Sequence, residues 1–572
     1  MDNVDICISK LLESKVIEPT LNSPNQFISS FFLVPKPDGT DRFILNLKKL
    51  NQYVETEHFK LEDLRTAINI LEKDDYMCSI DLKDAYFMIP VAKSDRKFLR
   101  FIHKGTTYQF TALPFGLAPS PYTYTKITKP SVTWLRKQGI RITNYLDDFL
   151  IFGKTKEECA NNTKIALSLL QRLGFVINFE KSCLEPSKIC QHLGCIINSE
   201  EMTVELTKKK KENIKTIVDN MINEKNCTFE QLMSIIGKIV AACPSVKFGW
   251  RFYKELERFK CSNNHCNKKD KLNLTTQVLK DLIWWSDNIL AAKNIIRNFT
   301  FQKEIFSDAS LTGWGATCNG KSARGLWSLG EQKLHINLLE LKAAFLALKC
   351  FAANDSNCQI LLRIDNITAI TYINKMGGIK FTHLNDTARS IWDWCIERNV
   401  WIFSEYVASK ENPADKESRI INQDTEWELA NYAYDKIIRT FGLPDIDLFA
   451  TRSNKKCFRF CSWQRDPEAY IINSFTIRWT KFFWYAFPPF SLIAKILRKV
   501  REDESTGILV VPDWPSQSWY TTFLEMIVGN PLIFKHSDSL LLSPFRDQIH
   551  PLSKHLTLIA GVISGKNIKK RD

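Results

Sequence analysis

The 572-residue chain has no long uncharged apolar run, no internal repeat and no low-complexity linker. Its longest uncharged apolar stretch, Phe482 to Ala494, is too short for a bilayer and holds Pro488 and Pro489. That excludes a regular membrane-spanning helix there, and no membrane partner is expected. The 16 cysteines follow no repeating framework, which argues against a disulfide-stapled fold and fits free thiols in a reducing compartment. No charged-then-apolar leader opens the sequence, so the expected location is intracellular, in the cytoplasm, the nucleus or both.

What is present points elsewhere. Hydrophobic residues make up 44% and aromatics 12%, enough for packed cores in three or four domains. The net charge of +15 and pI near 9.0 favour a polyanionic partner, nucleic acid before anionic membrane. Residues 1–200 alternate strands, turns and helices. "SSFFLVPKPDGTDRFILNL" reads as strand, Pro-Asp-Gly turn, strand. Residues 208–260 are Lys-rich and helical in pattern, and 260–275 reads as a linker. Strands are expected at 303–307, near 323–328, at 359–364 and at 400–406, with helices at 338–351 and near 381–397. Residues 430–560, rich in Trp, Phe and Pro, form a further unit.

Two acids sit side by side in the apolar run "RITNYLDDFLIFGK". Burying charge costs several kcal/mol unless something pairs with it. Asp147 and Asp148 read as a hairpin tip, and Asp81 closes the apolar run "YMCSI". If the strands are neighbours, these carboxylates converge and repel unless a divalent cation lies between them. Mg²⁺ suits such a site because it accepts hard oxygens and keeps positions open for phosphate. Two ions about 4 Å apart can activate a hydroxyl and stabilise a leaving oxygen. For the Asp-Asp pair alone, a solvated acidic turn would be the better reading.

The pair is not alone. "RFILNLKKLN" (42–51), "SIDLKDAYFMIPV" (79–91), "LPFGLAPSPYTYTK" (113–126), "YLDDFLIFG" (145–153), "LGFVINFEKS" (173–182) and "HLGCIIN" (192–198) occur in order. This set resembles the reverse transcriptases of retroelements over about residues 17–260. The resemblance implies a right-hand polymerase of fingers, palm and thumb. It assigns metal binding to Asp81 and Asp147, supported by Asp148, and the triphosphate grip to Lys36 and Arg42. Tyr86 becomes the steric gate against a 2′-hydroxyl. Phe115 and Gly116 lie behind the nucleotide, and Lys181 near the pyrophosphate. Lys208 to Lys211 and Lys215 would face a duplex backbone, with a solvated helix face as the alternative.

A second set of acids follows. "EIFSDASLTGWGA" ends a strand at Asp308 before a Gly-rich return, "HINLLELKAAFLALK" puts Glu340 on an amphipathic helix, "ILLRIDNITA" ends a strand at Asp365, and "ENPADKESR" starts a helix with Asp415. From about 303 to 420 this is similar to the ribonuclease H fold joined to retroelement polymerases. The resemblance implies two Mg²⁺ (or Mn²⁺) ions in each of the two sites, the second cleaving RNA in an RNA–DNA hybrid. It also implies a loop His before the last Asp, and here Tyr406 falls at that place.

"LNLKKLN", "SDASLTGWGA", "LLRIDNITAITYINKMGG" and "NPADKESR" look most like DIRS-type retrotransposons, with a Gypsy-type element as the competitor. No Cys follows Cys461, so the zinc module of a Gypsy integrase is not found. An element-encoded tyrosine recombinase and a capsid-like protein are the partners this implies, on another product or upstream. The tail resembles the region after ribonuclease H in DIRS polyproteins. It also echoes Dam-like adenine methyltransferases, but Phe487 stands where an Asn or Asp would hold the target amine, which implies a degenerate site. Trp463, Trp479, Trp484, Trp514 and Trp519 read first as core residues, with nucleic-acid docking as the alternative. "CSNNHC" (261–266) lacks a second ligand pair for zinc, and the terminal "KNIKKRD" reads as a frayed end.

The expected fold class is therefore multidomain, α/β and α+β. Fingers and palm take 1–200, thumb and connection 201–300, a ribonuclease H-like domain 301–425, and a C-terminal α/β domain 426–572. The expected function is RNA-directed DNA synthesis from deoxynucleoside triphosphates on an RNA template and DNA primer, with ribonuclease H activity on the hybrid. An inactive nucleic-acid-binding or assembly descendant is the alternative.

Overall fold

The apolar runs flanking the paired acids form a hairpin in the computed structural model, which describes residues 3–35, 39–298, 300–420, 427–543 and 548–566. Strand Arg141–Tyr145 turns through Leu146, in the left-handed region at φ 54°, into Asp148–Gly153. Together with Tyr76–Asp81 and Cys183–Ser187 these make a four-stranded antiparallel sheet, in the order Arg141–Tyr145, Asp148–Gly153, Tyr76–Asp81, Cys183–Ser187. Phe149 to Gly153 are buried on both faces. Side chains alternate across a strand. Phe149 and Ile151 pack with Tyr124 and Leu170 of helices Ser120–Lys137 and Lys156–Arg172. Leu150 and Phe152 enter a separate core with Val218, Leu232, Leu282 and Trp285. This sheet is thus sandwiched between helices of the same unit, which explains its continuous hydrophobic sequence.

The chain divides into two units, Met1–Asn298 and Phe299–Asp572. In the first, the two strands expected on either side of Pro-Asp-Gly pair antiparallel, Phe31–Pro35 with Asp41–Leu45 from Phe31↔Leu45 to Pro35↔Asp41, while Pro37 and Asp38 of the expected turn lie outside the described residues. Helices Lys208–Glu224, Phe229–Ala242 and Lys254–Ser262 follow. The stretch 260–275 differs from the expected linker. Lys271–Asn273 pairs with Asn226–Thr228, and Leu272 and Leu274 join the core that holds Trp285. Its Lys and Asn residues are the outward half of a pattern whose leucines point in.

The second unit opens with a five-stranded sheet, in the order Lys321–Leu326, Gly313–Cys318, Lys303–Ala309, Gln359–Ile364, Trp401–Tyr406. The first three strands are antiparallel and the last two join in parallel. The stretch read as a Gly-rich return is itself strand Gly313–Cys318, and helix Ile367–Asn374 was not anticipated. Helices Ile336–Phe351, Thr382–Glu397 and Pro413–Ser418 complete this half.

The other half is a seven-stranded sheet, in the order Ile471–Ile472, Arg459–Ser462, Ile446–Asp447, Trp484–Ala486, Thr506–Pro512, Leu558–Ser564, Ile527–Phe534. The first five strands are parallel and Leu558–Ser564 runs against both its neighbours. Trp479, Trp484 and Trp519 are core residues and Trp514 is half-buried, whereas Trp463 is 67% exposed.

Gly315 shows how closely the short helix Pro413–Ser418 sits on the first sheet. A Cβ there would lie 2.4 Å from the Ser418 amide nitrogen and 2.5 Å from the Ala414 carbonyl oxygen. We therefore expect Gly315→Ala to destabilise the second unit by about 1–3 kcal/mol, as overpacking does. Urea denaturation followed through tryptophan fluorescence measures this, and an unchanged midpoint would contradict the close packing.

Candidate active sites

The acids of the first unit are placed by strand register. Asp81, the last residue of Tyr76–Asp81, lies directly opposite Asp148, the first residue of Asp148–Gly153. Asp147 occupies the turn just before, and its carbonyl oxygen accepts the Leu82 amide at 3.1 Å. The Asp81 amide donates to Ser182 Oγ at 3.0 Å, fixing the strand end against the chain that carries Lys181. Burial is the main cause that raises the pKa of both Asp147 and Asp148. For Asp148, the charges of Asp147 and Asp81 add to it and bring the value to about 7. Arg42 and Lys181 oppose the rise at Asp147, and Lys181 does so at Asp148. Both cations therefore stand within electrostatic reach of the acids, and Lys181 is exposed. Lys36 lies outside the described residues.

The remaining expected residues form one aromatic wall. The Arg42 guanidinium lies 4.8 Å from the Phe115 ring centroid. Phe115 packs on Tyr86 at 5.3 Å, and Tyr86 meets Tyr124 edge-on at 5.5 Å. Burial, then the Asp147 charge, lifts the Tyr86 phenol to about 12. Gly116 is at φ 102°, and a Cβ there would meet the Leu45 carbonyl oxygen at 2.4 Å. Only glycine allows that approach. Asn51 was missed by the sequence reading. Its side chain donates to the Gly116 carbonyl at 2.9 Å and accepts from the Ala118 amide at 2.9 Å, clamping the "LPFG" loop. Its signal was its place at the end of "LNLKKLN".

Three of the basic residues assigned to a duplex are spent inside the protein. Lys211 is buried and donates to Glu205 at 2.7 Å, Lys210 donates to the Leu193 carbonyl at 2.9 Å, and Lys215 donates to Ser286 at 2.9 Å.

In the second unit, Asp308, Glu340 and Asp365 each bring a carboxylate oxygen within 4.8 Å of the others, the one such group of three potential ligands among the described residues. Glu340 is buried at 3% exposure, and its Oε2 has no hydrogen-bond partner. Burial, with the Asp308 and Asp365 charges, raises its pKa to about 9. Burial also raises that of Asp308, although the Ser418 hydroxyl donates to its Oδ2 at 2.6 Å. An orphaned carboxylate oxygen among converging carboxylates fits a hard divalent cation.

Asp415 is not in that group. Arg419 holds its Oδ1 through Nη2 at 2.7 Å and Nε at 3.1 Å. Tyr406 ends strand Trp401–Tyr406 opposite Ile364, and its side chain is exposed. The loop residue that reaches the acids is Ser409, which donates to Asp365 Oδ2 at 2.6 Å. Cys261 is exposed, and neither it nor Cys266 belongs to a metal-type cluster among the described residues.

A cation entering the second site must displace the Glu340 proton, because the carboxyl is neutral below about pH 9. Affinity for Mn²⁺ should therefore rise with pH up to that value, by at most about tenfold per pH unit for one displaced proton. Calorimetric titration in buffers of different ionisation heat checks this, and Glu340→Gln should flatten the slope.

Residues 34–197 match the family model described as reverse transcriptase (RNA-dependent DNA polymerase). Among curated proteins, the chain is similar to the transposon Tf2-3 polyprotein of Schizosaccharomyces pombe, 24% identical over 290 residues. That match covers 50% of this chain and 20% of the polyprotein. It is also similar to the Gag-Pro-Pol polyprotein of human T-cell leukemia virus 2, 31% identical over 215 residues, covering 35% of this chain and 14% of the other. The chain thus spans a minor part of the length of these relatives. A solved foamy viral protease-reverse transcriptase in complex with double-stranded DNA aligns at 18% identity and TM-score 0.45, covering 70% of this chain and 69% of that one. The segment that carries Asp81, Asp147 and Asp148 thus matches the reverse transcriptase family model and is similar to polyproteins of a retrotransposon and a retrovirus.

Proposed function

We propose that the chain is an RNA-directed DNA polymerase joined to a ribonuclease H, copying element RNA into DNA and hydrolysing the RNA strand of the hybrid. The observation that carries this reading is the strand register: Asp81 faces Asp148 beside Asp147, with Arg42 and Lys181 in electrostatic reach. Asp81 and Asp147, with Asp148 behind them, would hold two divalent cations, Mg²⁺ or Mn²⁺. Asp308, Glu340 and Asp365 would do so in the second site, joined by Asp415 once Arg419 lets go. When bound, such ions activate the attacking oxygen and neutralise charge on the leaving one.

The chain's own groups do the rest. Arg42, with Lys36, would grip the triphosphate by charge-assisted hydrogen bonds. Arg42 is itself steadied by the Phe115 face. Tyr86, packed between Phe115 and Tyr124, has little freedom to swing away, which suits a steric gate beneath the sugar. Lys181 would balance charge building on the departing pyrophosphate. Much of the rate enhancement in phosphoryl transfer comes from such positioning and electrostatics. In the second site Ser409 and Ser418 would orient Asp365 and Asp308. Serine titrates far outside the physiological range, so it would not carry protons as a loop histidine can.

The quoted motifs favour a DIRS-type retrotransposon over a Gypsy-type element, which makes a tyrosine recombinase and a capsid-like protein the implied partners. RNA template, DNA primer, RNA–DNA hybrid and deoxynucleoside triphosphates are the implied substrates. Residues 426–572 would be a degenerate methyltransferase-like α/β domain. Its support is the order of the seven strands and Phe487 at the place of an amine-holding Asn or Asp.

Asp147→Asn should reduce primer extension on an RNA template by more than about 100-fold while sparing hybrid cleavage, and Asp365→Asn should do the reverse. Loss of both activities from either change in a folded protein would sink the two-site reading. No incorporation by the unaltered chain with Mg²⁺ or Mn²⁺ would favour the inactive binding descendant. Tyr86→Ala should admit ribonucleotides, read as the ratio of kcat/KM for the two sugars, and an unchanged ratio rejects it as the gate.

A further inference from the structure

A cavity of about 310 Å³ lies inside the second unit, lined by Trp314 and Leu326 of the half built on the five-stranded sheet and by Leu448 and Phe449 of the C-terminal half. Apolar packing is interrupted there, so the polar contacts beside it help decide how the halves are held. Arg452 makes the most connected of them. Its guanidinium meets the Glu331 carboxylate through two bonds, at 3.2 and 2.9 Å, and the two side chains are only 16% and 13% exposed. Glu331 also accepts from Lys342 at 2.8 Å, and from the amide and hydroxyl of Ser328, each at 3.1 Å. Burial would raise the Glu331 pKa, yet the Arg452 charge, and after it Lys342, hold it down at about 2. The carboxylate is thus ionised across the physiological range and draws both cations. Arg452 is itself fixed from behind, because its amide donates to Asp466 at 3.1 Å. Removing one member of such a buried group leaves the others uncompensated.

What these bonds hold is a helix. Lys342 and Glu340 both lie on Ile336–Phe351. Two residues turn about 200° round a helix, so Lys342 is tethered on nearly the opposite side from Glu340. A tether there restrains rotation about the axis, and rotation would carry the Glu340 carboxylate away from Asp308 and Asp365. About 12 Å farther along the axis the C-terminal half touches the same helix again. The Cys350 thiol donates to the Arg465 carbonyl oxygen at 3.8 Å, and the Arg465 guanidinium lies 5.8 Å from the Phe351 ring centroid. A second route runs from Arg452 to Asp308. The Arg452 guanidinium is 5.7 Å from the ring centroid of Trp327, whose buried indole donates to the Ser310 carbonyl at 2.9 Å. The Ser310 hydroxyl donates to the Ser418 carbonyl at 2.7 Å, and Ser418 is the residue that donates to Asp308.

We infer that the C-terminal half braces the acidic site of the second unit, with Arg452 as a positioning residue that sets helix Ile336–Phe351, and with it Glu340, through Glu331 and Lys342. This rests on the reading of Asp308, Glu340 and Asp365 as a nuclease metal site. It gives the seven-stranded sheet a role that needs no ligand and no transfer chemistry of its own.

The experiment compares the full chain with its Arg452→Met, Arg452→Lys and Glu331→Gln variants and with the Arg452→Met, Glu331→Gln double variant. Arg498→Met is the control, since the exposed pair of Arg498 with Glu502 stays within its own helix. In the metal-free proteins, amide hydrogen exchange in Ile336–Phe351 should quicken about tenfold in Arg452→Met, while strand Gln359–Ile364 keeps its rate and the control changes neither. With Mn²⁺ and an RNA–DNA hybrid, kcat for cleavage should fall about tenfold with KM for the hybrid unchanged, and the Mn²⁺ concentration giving half the maximal rate should rise about tenfold. Arg452→Lys keeps the charge without the fork and should lose less than Arg452→Met. The double variant should lose no more than the worse single one, as one shared interaction requires. Should Arg452→Met fail to fold, Glu331→Gln and Arg452→Lys carry the same comparisons. Unchanged exchange in the helix of a folded variant, losses that add in the double variant, or an equal effect of Arg498→Met would each overturn the inference. If the unaltered chain cleaves no hybrid, the metal-site reading fails, and the exchange result by itself decides on the brace.

Discussion

Carboxylates at the ends of strands packed in apolar cores are the constraint on which both acidic sites depend. Charge in such a place is unfavourable, and like charges beside it make it worse. The protein carries that cost twice. Asp148 is pushed up to about 7 and Glu340 to about 9, in each case first by burial and then by neighbouring acids. Positions of this kind persist when the surrounding structure holds them, and here two sheets and the helices covering them do so.

The two sites share a way of restraining their acids. In the first unit, register sets Asp81 against Asp148, and Ser182 holds the Asp81 amide. In the second unit, Ser418 donates to Asp308 and Ser409 to Asp365, while Arg419 occupies Asp415. Cations lie at the margin of each group: Arg42 and Lys181 in one, Arg419 in the other. Each site therefore has partial compensation for its negative charge. The clamp from Asn51 to the "LPFG" loop extends the same logic to the aromatic wall, since it ties Phe115 and Gly116 to the segment that follows Arg42.

The C-terminal half uses its charges differently. Its Arg452 is cancelled by Glu331, which belongs to the half built on the five-stranded sheet. The two halves of this unit are therefore joined through that ion pair, and Arg452 is engaged on one side while its amide holds Asp466 on the other. Most of its tryptophans serve the core, as their size and apolar area favour.

Local patterns in the chain were enough for the paired strands Phe31–Pro35 and Asp41–Leu45, the acidic hairpin, and strands Gln359–Ile364 and Trp401–Tyr406, because hydrophobic period and turn residues act over a few positions. The ordered motifs likewise named the acids. Other features depended on residues distant in sequence. The stretch 260–275 reads as polar linker until Leu272 and Leu274 are seen to complete a core begun near residue 64. Gly313–Cys318 reads as a return because its glycines are demanded by the helix packed upon it, and that helix starts about a hundred residues later. Which loop residue touches Asp365, which lysines are already paired and where a cavity opens are likewise matters of long-range packing. The sequence by itself determined which groups are acidic and where strands end. Only the tertiary structure decided which of those groups meet, because their separation is set by sheet order and helix packing rather than by spacing along the chain.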